Sequence, residues 1–117
     1  MTEETKLGRI EITPTAIATI AGQAVLKSYG VVGLSSRSGS GLVNSLYRDN
    51  LKRSVEIKTV DEGIVIDLYV IIEYGTRISA VAHNIMESVK FSVEQALGVP
   101  VAEVNVHVQG LRVSNSD

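Results

Sequence analysis

Hydrophobic and polar positions alternate most regularly over Ile64–Glu73. There Ile64, Ile66, Leu68, Val70 and Ile72 share one face, while Val65, Asp67, Tyr69, Ile71 and Glu73 share the other. A period of two with β-branched residues on the apolar side predicts a strand with one buried face. Shorter alternations over Gly8–Ile12, Ser54–Thr59 and Glu103–Val108 predict three more strands, and the apolar run Val31–Leu34 predicts another. In the last of the alternating segments Val104, Val106 and Val108 lie opposite Asn105, His107 and Gln109. Asp61-Glu62-Gly63 supplies turn chemistry between Ser54–Thr59 and Ile64–Glu73, so these two read as a hairpin.

Two segments carry the helical period instead. Thr13-Pro14 is a helix start, with Thr as N-cap and Pro at the first helical position, where its missing N–H costs nothing. Ile17, Ile20, Ala21 and Ala24 follow at helical spacing, and Gly30 stands as the stop. The longer helix begins after Tyr74-Gly75-Thr76, with Thr76 as its expected cap. Its apolar stripe runs through Ile78, Val81, Ala82, Ile85, Val89, Val93, Ala96 and Leu97 to Gly98 and Pro100. Leu42, Val43, Leu46 and Tyr47 have the spacing of one further short helical turn.

The resulting order, β-α-β-ββ-α-β, predicts an α+β two-layer sandwich with both main helices on one face of a mostly antiparallel sheet. The opposite face is then half polar and uncovered. The chain of 117 residues is long enough for one domain with a real core. Residues 1–7 and 114–117 are expected as flexible tails, and 35–53 as a flexible loop.

Composition narrows the function classes. Apolar residues make up 44% and charged residues 21%, which is globular usage, and there is no Cys for disulfides or thiolate metal sites. MTEETKLGR lacks the apolar core of a signal peptide, and no apolar run approaches bilayer length. A cytoplasmic protein without direct membrane insertion is expected. The net charge of −2 is unevenly spread. Lys27, Arg37, Arg48, Lys52, Arg53 and Lys58 face only Asp49 and Glu56 within 27–58, whereas three basic residues face eight acids beyond it. Arg37, Arg48, Lys52 and Arg53 are therefore candidates for contact with an acidic partner.

Candidate chemistry is sparse. The run SSRSGSG at 35–41 lacks the Gly-Lys-Ser/Thr of a nucleotide loop and the third glycine of a dinucleotide fingerprint. Its amides beside Arg37 could at most cradle an anion. His83 and His107 are two isolated imidazoles, short of the three or four ligands a metal site needs, and both read as surface residues. No nucleophile elbow or spaced Ser/His/Asp pattern occurs, so no catalytic residue, metal or cofactor is assigned. Gly30-Val31-Val32-Gly33 has K-homology spacing but is apolar, and aromatics for base stacking are few, which argues against nucleic acid. A small RNA- or anion-binding module using the basic 37–58 segment is the alternative reading.

The stretch IVIDLYVIIEYGTRISAVAHNIMESVKFSVEQALGVPVAEVNVHVQGLRV, residues 64–113, resembles the bacterial alkaline-shock-protein family of envelope stress-response proteins. Tyr74-Gly75-Thr76, Ile78-Ser79 and the closing VNVHVQG carry the likeness, and GRIEITPTAIATIAGQAVLKSYGVVGL at 8–34 extends it. The resemblance is to the short, single-domain form of Gram-positive bacteria. It implies a non-enzymatic, self-associating homo-oligomer held beneath the membrane by a small integral membrane partner, with no catalytic residues to carry over. For such a scaffold, Tyr69, Ile71, Asn105, His107 and Gln109 on the uncovered sheet face are the candidate partner contacts.

Overall fold

A computed structural model describes residues 1–38, 42–43 and 48–113. The expected α+β two-layer sandwich is the observed architecture, and its spine is the strand with the cleanest alternation. The main sheet consists of β3 (Val31–Ser35), β4 (Leu42–Val43), β5 (Val55–Val60), β6 (Gly63–Glu73) and β7 (Val101–Arg112). β5 pairs antiparallel with Gly63–Leu68 of β6, and β3 pairs antiparallel with Val70–Ile72. β7 runs parallel to β6 from Ile64 to Glu73. Because β7 occupies one edge of β6 throughout, β3 and β5 lie end to end along the other. Their junction is tied where the Arg37 amide donates to the Arg53 carbonyl at 2.7 Å. Three of the four pairings are antiparallel, but the longest ladder is the parallel one, closed by a crossover helix.

The helices are α1 (Pro14–Leu26), α2 (Arg48–Ser54) and α3 (Ile78–Leu97). α1 starts as the sequence predicts: the Thr13 hydroxyl accepts from the Ala16 amide at 3.2 Å, with Pro14 in the first turn. α3 does not use the expected cap. Arg77 holds the N-cap position without a side-chain bond, because the Thr76 hydroxyl is spent donating to the Glu73 carbonyl at 2.7 Å in the preceding turn. Gly98 ends α3 in the left-handed conformation, φ +67°, and its amide donates to the Glu94 carbonyl at 2.9 Å.

The core lies between the helices and one face of the sheet. Ile64, Ile66, Leu68, Val70 and Ile72 are fully buried against Ile17, Ala21 and Val25 of α1 and Val81, Ile85, Val89 and Val93 of α3. Each such Leu or Ile contributes about 1.5–3 kcal/mol by leaving water. Leu51 of α2 fills the space beside Val55.

Two segments depart from the sequence reading. Residues 1–7, expected as a tail, supply β1 (Thr2–Glu4), which pairs with β2 (Arg9–Glu11) in a two-stranded hairpin separate from the main sheet. The Thr5 hydroxyl closes its turn by accepting from the amides of Leu7 and Gly8. Within 35–53, Leu42 and Val43 form a strand, not the start of a helical turn, and the helix lies at Arg48–Ser54. The short strand pairs with Leu34 and Ser35, and strand pairing outweighs the weak local helical period. Leu46, Tyr47 and the tail 114–117 lie outside the described residues.

Candidate functional site

With the helices on one face, the odd-numbered residues of β6 and their β7 neighbours form the other, and all of Val65, Asp67, Tyr69, Ile71 and Glu73 stay half-buried. Parallel pairing sets Asp67 beside Asn105 and Tyr69 beside His107. The Tyr69 and His107 rings stack with centroids 4.5 Å apart and planes 13° from parallel. His107 Nε2 lies 3.0 Å from Asp67 Oδ1, and the Asp67 side chain is only 14% exposed against 44% for His107. Asp67 is thus a seated partner of the imidazole.

The network continues to both sides. Asn105 Nδ2 donates to Glu103 Oε2 at 3.3 Å along β7. Gln109 Nε2 reaches the Arg37 carbonyl at 3.3 Å, linking β7 to the end of β3 across the sheet. Arg37 forms an ion pair with Glu56, which also lies 3.7 Å from Lys58 Nζ. Tyr69, Ile71, Asn105, His107, Gln109 and Arg37 therefore share one surface. Glu56 and Asp67, which complete it, were not singled out by the sequence. Only the strand register places them, and no local motif marks either residue.

The remaining basic candidates sit to one side of that surface. Lys52 and Arg53 are exposed on α2. Lys52 borders a cavity of about 290 Å³ with Pro14, Ala18, Leu51, Val55 and Arg37. Arg53 borders a second space of about 310 Å³ with Ser36, Arg37 and Ser38. The side chain of Arg48 lies outside the described residues. Pairing of Arg37 with Glu56 offsets one of the charges on which an acidic partner would depend.

His83 is a surface imidazole, 2.8 Å from Glu87 one helical turn away and about 70% exposed. Among the described residues, no cluster of three or more His, Cys, Asp or Glu could hold a metal ion. None of their helices is long and apolar enough to cross a membrane.

The model of the alkaline-shock-protein family, described as having a cell envelope-related function, matches residues 2–113. This chain belongs to the alkaline-shock-protein family. Relatives in the family include the Bacillus subtilis (strain 168) protein YloU, described as uncharacterized. It is 44% identical over 113 residues, covering 95% of this chain and 94% of YloU. The uncharacterized Spy1614 of Streptococcus pyogenes serotype M6 is 40% identical over 111 residues, covering 93% of this chain and 92% of its own. Among solved structures, a MamM-CTD variant shares the fold, with a TM-score of 0.50 and 14% identity, covering 88% of this chain and 100% of that one. At that identity the likeness speaks for the fold of this alkaline-shock-family chain alone.

Proposed function

We propose that this alkaline-shock-family chain is a non-enzymatic scaffold of the cell-envelope stress response. It works on the cytoplasmic side, self-associates, and docks a membrane-anchored protein partner through the uncovered sheet face. The observation that carries the reading is the Tyr69–His107 stack seated on Asp67 beside half-buried Ile71. An aromatic pair held in place on a mixed apolar and polar surface loses little side-chain entropy on binding, which is what a protein contact needs. The cell envelope-related description of the family points to the membrane. The described helices offer no span, so the reading routes attachment through a partner. The alternative, an RNA or anion module on 37–58, draws less support because Arg37 is already committed to Glu56.

Co-sedimentation with washed membranes of the source organism tests this. Wild-type protein is expected to sediment, and to be lost when the membranes are first treated with protease. The Tyr69→Ala/His107→Ala variant is expected to stay in solution. Equal binding by the variant would remove the sheet face as the docking surface. Binding that survives protease treatment would remove a protein as the anchor.

A further inference from the structure

β7 is twelve residues long and, among the described residues, bonded on one side only, to β6. Its outer edge carries neither Pro nor Lys, the residues that commonly guard such edges against pairing. Val108 and Leu111 on its helix-facing side are 37% and 46% exposed, so α3 does not finish covering that side. Nearer the start of β7, Met86 and Lys90 of α3 border a groove of about 190 Å³ with Val101, Ala102 and Val104.

The register of β7 makes this edge complementary to itself. Val104, Val106, Val108 and Leu111 lie beside Ile66, Leu68, Val70 and Ile72, on the helix side. Glu103, His107 and Arg112 lie beside Val65, Tyr69 and Glu73, on the open side. The shift between Val70 and Ile71 leaves Gln109 as the extra residue. Folding one copy onto another antiparallel about His107 sets Val106 against the partner subunit's Val108. With the extra residue absorbed, Val104 then meets the partner subunit's Leu111, and Glu103 meets the partner subunit's Arg112. Every pair keeps its face, and the ion pair occurs twice. A slip of one residue would oppose apolar and polar faces. Moving the centre to Val106 would set Glu103 against Gln109 or Gly110 and lose both ion pairs. Arg112 has no ion-pair partner of its own among the described residues.

We propose that two copies of this chain join edge to edge through β7, antiparallel about a two-fold axis at His107, with Glu103 of each copy paired to Arg112 of the other. The partner subunit's Leu111 then lies at the groove beside Met86, and the sheet runs unbroken through both subunits. Both docking faces point the same way, which would let one dimer engage two anchors at once. This rests on the self-association in the proposed function and gives it a surface.

Charge reversal tests the pairing by sedimentation equilibrium, with circular dichroism confirming that each exposed-site variant folds. Wild type is expected to dimerise. Glu103→Arg and Arg112→Glu should each weaken the dimer at least about tenfold, because like charges then face one another at both ends. An equimolar mixture of the two single variants should recover wild-type association, as should the Glu103→Arg/Arg112→Glu double variant. Amide exchange over Val104–Leu111 should be slower in the wild type than in either single variant. A wild type that stays monomeric at high micromolar concentration would overturn self-association itself. A dimeric wild type insensitive to both substitutions, or single variants that fail to recover on mixing, would overturn the β7 edge alone.

Discussion

Gly63 sits where the hairpin turn enters β6, and its replacement by Ala should be among the costliest small changes in the chain. Its φ of +136° belongs to a region that side-chain-bearing residues rarely adopt. A Cβ built there would lie 2.2 Å from the Pro100 carbonyl oxygen and 2.9 Å from its carbon. The turn cannot yield without cost, since the same Pro100 carbonyl accepts from the Ile64 amide at 3.0 Å at the start of the β6–β7 ladder. Backbone strain of about 1–3 kcal/mol and the loss of a hydrogen bond of about 0.5–1.5 kcal/mol give an expected destabilisation of about 2–4 kcal/mol. Against a total stability of roughly 5–15 kcal/mol for such a domain, that is a large fraction. Gly98 provides the control. It also has positive φ, +67°, but no atom lies within 4 Å of its would-be Cβ, so Gly98→Ala should cost only about 1–2 kcal/mol. Urea unfolding followed by far-ultraviolet circular dichroism measures both. If Gly63→Ala cost no more than Gly98→Ala, the close approach to Pro100 would not be a feature of the folded protein.

Three further substitutions probe other levels of the structure. Leu68→Ala removes a fully buried side chain at the centre of β6 and should cost about 2–5 kcal/mol in urea unfolding, the range for a core cavity. Thr13→Ala deletes the bond to the Ala16 amide and should cost about 1 kcal/mol, read as a lowered melting temperature. Asp67→Asn should change stability by less than about 1 kcal/mol, since His107 is 44% exposed and solvent screens the pair. It should nevertheless loosen the Tyr69–His107 stack, which ring chemical shifts would report; unchanged shifts would show that Asp67 does not hold the imidazole.

The elements with the strongest periodicity were legible in the chain. The alternation over Ile64–Glu73 appears as β6, the 3.6-residue stripe from Ile78 to Leu97 as α3, and Thr13 caps α1 as its position before Pro14 suggests. Local chemistry suffices there, because burial of one face and satisfaction of the first-turn amides act within a few residues. The half-polar sheet face was legible for the same reason, as the odd positions over Val65–Glu73 and Glu103–Gln109 could only point away from the helices. Thr76 shows where that logic stops. Its hydroxyl had two uses within reach, and closure of the turn after Glu73 took it from the helix. The strand Thr2–Glu4 and the helix Arg48–Ser54 carry short or mixed patterns that neither period captures.

What only the tertiary structure decided is which strands are neighbours beyond the β5–β6 hairpin. Sequence alternation sorts side chains to two faces but does not say that β7 lies parallel to β6, and on that register depend Tyr69 beside His107, Asp67 within reach of the imidazole, and Glu103 and Arg112 on one face. Residues forty positions apart meet because α3 carries the chain back across the sheet, and pairing between strands is set by the burial of both apolar faces together. From its order of amino acids alone the chain determined a two-layer fold with one open face; the register of two strands decided what that face presents.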